Sequence, residues 1–100
     1  MYMNAHTVRV PDEEKIRAKK ELISAINQCI DRIASEESSL KSTLNMLDHL
    51  AIGSVTGAHG RFMGDCQRSL HAVQSAKSQL NAALSAAHAL DTTKEIVVYG

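Results

Sequence analysis

The chain has few aromatic residues, no Trp and a single Pro in its 100 residues. Its three aromatic residues are Phe62, Tyr2 and Tyr99, and only Pro11 and five glycines interrupt the apolar content. So few turn-forming residues favour long helices over a fold of many short strands. The length allows one domain and excludes a large catalytic α/β architecture.

The chain also lacks an excess of charge of either sign. Eleven basic residues balance eleven acidic ones, so no net field attracts nucleic acid or anionic lipid. No apolar run reaches the roughly 18 residues of a membrane helix, and residues 1–10 lack the features of a cleaved signal peptide. We therefore expect a cytoplasmic protein with no nucleic-acid partner and no membrane insertion, for which any export is independent of a signal peptide.

The cysteines and histidines form no recognisable catalytic or metal-binding pattern. Cys29 and Cys66 lack the short spacing of a metal or redox pair, and no two of the five histidines are four residues apart. We predict that both cysteines are small buried residues, and that the protein is not an enzyme and has no cofactor and no metal site. A thiol or metal enzyme that uses Cys66 is the least favoured hypothesis.

Two helices are predicted by the spacing of apolar residues. Pro11, followed by Asp12 and two glutamates, marks a helix start, and a seam of residues spaced by three and four follows it. Its members are Ile23, Ile26, Ile30, Ile33, Glu37, Leu40, Leu44, Leu47 and Ala51. A second seam is predicted at Phe62, Cys66, Ser69, Val73, Ala76, Leu80, Ala83, Ala87 and Leu90.

A turn rich in glycine and hydroxyl residues separates the helices, and it contains Gly53 and Gly57. We predict an extended arm (1–11) and a helical hairpin (12–95) made of a helix (12–51), a turn (52–58) and a helix (59–91), then a tail (96–100) that can pair with residues 7–10. The expected fold class is all-α, an elongated antiparallel two-helix hairpin.

A two-helix hairpin has no third layer, so apolar residues outside its seam stay in water unless another chain covers them. We expect a second hairpin, from another helical protein or a second copy, to complete a four-helix bundle. Glu37 is either a simple interruption of the seam or a polar residue that selects register or partner. The predicted partner-binding residues are Ile16, Leu22, Met46, Leu50, Met63, Leu70 and Leu84.

The turn Ser54-Val55-Thr56-Gly57-Ala58-His59-Gly60, followed by Phe62 and a long helix rich in Ala, Ser, Gln and Leu that leads into residues 90–95, resembles a known family. These features are similar to the WXG100-like superfamily of type VII secretion proteins, in particular the small α-helical partners of LXG toxins. The Trp-x-Gly of the family name is replaced by Val55-Thr56-Gly57 or Ala51-Ile52-Gly53.

The resemblance implies a non-enzymatic targeting factor or chaperone that binds the helical N-terminal domain of a toxin for type VII secretion. We predict recognition by the export machine at Leu90, Asp91, Lys94 and Glu95. The family's export motif, an aromatic residue followed four positions later by an acid, is absent, which a composite signal from both partners would explain. The alternative is an intracellular homodimeric coiled-coil structural adaptor unrelated to export.

Overall fold

The computed structural model describes residues 4–50 and 57–99, which form two long helices and two strands. Strand β1 (Ala5–Pro11) leads into helix α1 (Glu13–Leu50), and helix α2 (Gly57–His88) is followed by strand β2 (Thr93–Tyr99). The helices form an elongated antiparallel hairpin, which confirms the predicted fold class. The strands pair with each other as a two-stranded antiparallel sheet, hereafter the ribbon.

Helix α1 begins at Glu13, one residue later than predicted, because Asp12 caps its N-terminus. The Asp12 carboxylate oxygen Oδ1 accepts hydrogen bonds from the backbone N–H groups of Glu14, at 3.0 Å, and Lys15, at 3.3 Å. The acidic residues of the first turn complement the unpaired N–H groups there. The end of the predicted helix at Ala51 and most of the predicted turn, including Gly53, lie outside the described residues.

Helix α2 is shifted toward the N-terminus relative to its predicted bounds. Gly57, which was predicted in the turn, is its first residue, and it ends at His88, three residues early. The Lys19 ammonium group accounts for this end, since it donates to the carbonyl oxygens of His88, at 2.7 Å, and Leu90, at 3.0 Å. Unpaired carbonyl groups at a helix C-terminus are thereby satisfied by a cation from α1.

The ribbon confirms the predicted pairing of the arm with the tail. Val8 lies opposite Ile96 and Arg9 opposite Glu95. The strand β2 begins earlier than the predicted tail, at Thr93. The Cα atoms extend over 93 × 16 × 13 Å, longer than the roughly 57 Å expected of a 38-residue helix. The ribbon therefore lengthens the rod beyond the open end of the hairpin.

The α1 seam is confirmed from Ile23 to Leu47, where all eight predicted residues are half-buried. The α2 seam is displaced by one residue at alternate positions, because Phe62, Ser69, Ala83 and Leu90 are exposed. The residues that make up the α2 seam are Met63, Cys66, Leu70, Val73, Lys77, Leu80 and Leu84, which are half-buried, and Ala87, which is buried. The predicted seam residue Ala76 is also half-buried, at the edge of this stripe. The predicted and the observed stripes of α2 share every second residue. Where they differ, the stripe that packs against α1 has Leu70, Lys77 and Leu84 in place of the smaller Ser69, Ala76 and Ala83.

The hairpin has a seam but almost no enclosed core. Ala87, 3% exposed, is the one buried hydrophobic residue within residues 4–50 and 60–99. The radius of gyration is 24.7 Å, against about 13 Å for a compact chain of 100 residues. The fold therefore leaves most apolar side chains only partly covered.

Candidate interaction surface

The two flanks of the seam differ in chemistry, and one of them carries exposed apolar residues on both helices. We call this flank the apolar face. Its apolar members are Ala18, Leu22, Ala25, Cys29, Met46 and Leu50 on α1, Phe62, Ala72, Ala76, Ala83 and Ala86 on α2, and Leu90 just beyond α2. Residues spaced by three and four share one side of a helix, so each set lies along one stripe. The α1 stripe is interrupted in its middle by Arg32, Glu36, Ser39 and Thr43.

Two shallow grooves show that both stripes lie on the same side of the hairpin. Cys29 and Arg32 of α1 line one groove together with Ala76 and Gln79 of α2. A second groove, at the ribbon end, is lined by Ala18 and Leu22 on one wall and Leu90 on the other. The antiparallel alignment thus joins the two stripes into one surface two helices wide.

Within residues 4–50 and 60–99, all five large hydrophobic side chains that are exposed outside the ribbon belong to the apolar face. They are Leu22 (43% exposed), Met46 (57%), Leu50 (79%), Phe62 (56%) and Leu90 (49%). Leu22 and Leu90 lie at the ribbon end, whereas the other three lie at the turn end. Between these clusters α2 presents mainly alanines, which permit close approach of another helix.

The opposite flank, the polar face, is almost entirely hydrophilic, with Ala34 as its exposed apolar residue. Its polar members are Arg17, Lys20, Ser24, Asn27, Asp31, Ser38, Lys41, Asn45 and Asp48 on α1, and Gln67, His71, Gln74, Ser78, Asn81, Ser85 and His88 on α2. All of them are exposed. The hairpin as a whole is therefore amphipathic, although each helix already uses one stripe in the seam.

The predicted partner-binding residues divide between the seam and the apolar face. Leu22, Met46 and Leu50 are exposed on the apolar face. The outward position expected for the other four is wrong, because Ile16, Met63, Leu70 and Leu84 are half-buried at seam positions. Phe62 and Leu90 belong to the apolar face although the sequence analysis assigned both to the seam.

A polar layer crosses the seam near its middle. Glu37, whose side chain is only 15% exposed, accepts a hydrogen bond from the Lys41 ammonium group at 3.3 Å. The Lys77 ammonium group of α2 lies 3.7 Å from the same Glu37 oxygen. The sequence pattern pointed to Glu37 but not to Lys77. Lys77 could have been recognised because it interrupts the apolar α2 stripe, as Glu37 interrupts the α1 stripe.

The predicted export-recognition residues lie where the hairpin meets the ribbon. Leu90 is exposed after α2, and Lys94 and Glu95 are the second and third residues of β2. Asp91 closes the turn between them, since its Oδ1 accepts from the Thr93 backbone N–H at 2.9 Å and from the Thr93 hydroxyl at 2.6 Å. These two hydrogen bonds, followed by the nearby Arg9 guanidinium, hold the pKa of the Asp91 carboxyl below its ordinary value.

Arg9 ties the two strands to this junction, and sequence reasoning did not single it out. Its Nε donates to the Thr93 hydroxyl at 2.8 Å, and its Nη1 donates to the Glu95 carboxylate at 3.1 Å. The remaining Nη2 donates to Asp91 Oδ2. One planar guanidinium therefore joins three residues of the returning chain.

Both cysteines are free thiols. The predicted burial is wrong for Cys29, which is exposed, while Cys66 is half-buried. Within the described part of the chain, no three His, Cys, Asp or Glu side chains are grouped so that they could hold a metal ion. Neither described helix contains an apolar stretch long enough to cross a membrane.

No family model, curated protein or solved structure matches the chain.

Proposed function

We propose that this protein is a non-enzymatic helical partner protein that binds another helical chain side by side through its apolar face. The observation that carries the proposal is that the five large hydrophobic side chains exposed on the described part of the hairpin all lie on one side. Single exposed hydrophobic residues are ordinary, but several large ones grouped on one side and bordered by polar residues are typical of an interaction site.

The accessible surface supports the same proposal. The chain exposes 7557 Å², against roughly 5,600 Å² for a compact protein of 10.9 kDa. The excess of roughly 2,000 Å² exceeds the roughly 800 Å² that one partner buries in an interface of standard size. Helices laid on the apolar face would complete a four-helix bundle.

The partner that fits the sequence resemblance is the helical N-terminal domain of a toxin exported by a type VII system. On this proposal the chain acts as a targeting factor or chaperone, because it covers the apolar surface of that domain before secretion. The ribbon and the junction formed by residues 90–95 project past the bundle, where the secretion machine can contact Lys94 and Glu95. The polar face remains in water.

Partner binding is tested by co-expressing the chain with the helical domain of a toxin encoded beside it and measuring co-purification. Leu22→Glu and Met46→Glu on the apolar face are expected to weaken binding at least about tenfold, since each places a charge in an apolar contact. Ser24→Glu and Asn45→Glu on the polar face are matched controls and should bind normally. Equal losses in both pairs, or a wild-type chain that binds no such domain, would contradict the proposal.

Export recognition requires a separate measurement. Lys94→Glu reverses an exposed charge on β2 and is expected to lower secretion of the toxin without changing its binding to the partner protein. Lys20→Glu on the polar face is the control. If Lys94→Glu secretes the toxin normally, the junction is not the recognised segment.

A further inference from the structure

We propose that the free chain pairs with a second copy of itself through the apolar face, with the two α1 helices antiparallel and related by a two-fold axis at the level of Ala34. This inference rests on the proposed function in one respect, namely that the apolar face binds helices. A toxin domain would then bind by displacing the second copy from that face.

Two charged residues of α1 are complementary when two copies pair in this way. Arg32 and Glu36 lie on the apolar face at equal distances on either side of Ala34, and neither makes an ion pair within residues 4–50 and 60–99. An antiparallel second copy places Glu36 opposite Arg32 and Arg32 opposite Glu36. The two-fold axis therefore forms two ion pairs from the two charged residues in the middle of the α1 stripe.

The side chains farther from Ala34 are complementary in size. The same axis pairs Leu22 with Met46, Ala18 with Leu50, Ala25 with Thr43 and Cys29 with Ser39. Each large cluster at one end thus meets the large cluster at the other end, and small residues meet in between. This alternation allows the two helices to approach evenly along their length.

The same two-fold axis also pairs residues of the apolar face on α2. The groove that sets Cys29 and Ile33 of α1 against Ala76 and Leu80 of α2 aligns the two helices, so the level of Ala34 on α1 corresponds to the region of Ala76 on α2. An axis at that level pairs Ser69 with Ala83, two small residues of the apolar face, and brings the Ala76 residues of the two copies together. It also brings Phe62 of one copy toward Leu90 of the other, which covers the two remaining large hydrophobic residues that are exposed on the described part of the apolar face.

The opposite orientation, with both ribbons at the same end, lacks these pairs. It places α1 over α2 of the second copy, so Arg32 and Glu36 face the region of Ala76 and Gln79. Both charges would then lose water without gaining a partner of opposite sign. The antiparallel arrangement is therefore the favoured one, and it projects the two ribbons from opposite ends.

Disulfide cross-linking of the purified chain tests the register directly. In a Cys66→Ala background, Ser39→Cys is expected to form a covalent dimer on oxidation with diamide, with the bond between Cys29 of one copy and the new thiol of the other. The two thiols of one chain lie about 15 Å apart along α1 and cannot reach each other. Ser38→Cys on the polar face is the matched control and should not cross-link to Cys29.

Peptide mass spectrometry decides the outcome. The inference is overturned if Ser39→Cys gives no Cys29-linked dimer, or if Ser38→Cys cross-links equally well. A bond between chains from Cys29 to the thiol of Ala83→Cys would also overturn it, because that bond belongs to the opposite orientation. The experiment uses no toxin domain, so its failure leaves the partner-binding test of the proposed function intact.

Charge reversal provides a second measurement. Glu36→Arg is expected to weaken the dimer about tenfold in sedimentation equilibrium, since it sets two arginines face to face at two symmetric sites. The exchange Arg32→Glu with Glu36→Arg should restore the wild-type constant, and Asp31→Arg on the polar face should leave it unchanged. A monomeric wild-type chain at high micromolar concentration, or an exchange that does not restore pairing, contradicts the proposal.

Discussion

Individual charged residues fix the alignment of the two helices more narrowly than the apolar seam does. A seam of Ile and Leu can slide by one heptad and still bury similar residues, whereas such a slide would separate Glu37 from Lys77. Lys77 supplies that cation at mid-seam, and Lys19 adds a second constraint by capping the end of α2. The hypothesis that Glu37 selects register is consistent with these contacts.

Reversing one charge of the polar layer tests this role. Glu37→Lys should lower the free energy of unfolding by about 1 to 2 kcal/mol, because it removes an acceptor from Lys41 and sets two further ammonium groups near Lys77. Lys77→Glu in the same chain should restore most of the loss. Urea denaturation measures both, and an unrestored double variant would show that the pair does not act across the seam.

At the scale of elements, the ribbon is the least supported part of the molecule. A two-stranded sheet is marginal by itself, and most of its residues are exposed, including Ile96, Val97 and Tyr99. It is held at its base, where the Asp12 N–H donates to the Thr92 carbonyl at 2.9 Å and the Lys15 ammonium group donates to the Thr93 carbonyl at 2.9 Å. The Arg9 guanidinium completes this attachment.

The ribbon should loosen in acid before the helices do. The pKa of Asp91 is lowered in the folded state by its hydrogen bonds to Thr93 and then by Arg9. A lowered pKa means that the carboxylate stabilises the junction at pH values above its unfolded value, near 3.9, and that this contribution is lost as pH falls through the folded value. The Thr93 amide resonance is expected to follow this low midpoint in an NMR titration.

The control for this prediction is Asp91→Ala, which removes the titrating group. Its Thr93 resonance should no longer show the transition, and the ribbon amides should exchange with solvent faster at neutral pH while the helix amides remain protected. A midpoint at or above the ordinary aspartate value in the wild-type chain would contradict the structural interpretation.

At the scale of the whole molecule, the chain is an elongated hairpin with little enclosed core. It has one buried hydrophobic residue among those described, and its apolar face is open to water. Association that covers this face therefore stabilises the folded state by mass action. Binding of a toxin domain and pairing with a second copy are both proposed from this open face. They differ in the chain that covers it.

The melting temperature is expected to depend on protein concentration. For a dimer of this size, a tenfold increase in concentration should raise the midpoint by about 3 to 5 °C. Leu22→Glu should remove most of this dependence, because the charge opposes burial of the face, whereas Ser24→Glu should retain it. Calorimetry over a hundredfold range measures the slope, and a concentration-independent midpoint in the wild-type chain would exclude self-association as a source of stability.

Four features follow from the sequence alone: the two helices, the start of α1 directly after Asp12, the α1 seam from Ile23 to Leu47 and the antiparallel hairpin. These features follow from local periodicity and from capping chemistry, which act within a few residues of the chain. Pairing of the arm with the tail also followed, once the hairpin brought both termini to one end.

Which of two overlapping stripes of α2 packs against α1 depends on the tertiary contacts, since both stripes share Cys66, Val73, Leu80 and Ala87 and periodicity does not separate them. The tertiary structure also decides the contacts of Arg9, Lys19 and Lys77, whose acceptors are distant in sequence. The apolar face also depends on how the two helices are aligned. Its two stripes become one surface because antiparallel alignment sets the same flank of each helix on one side of the molecule.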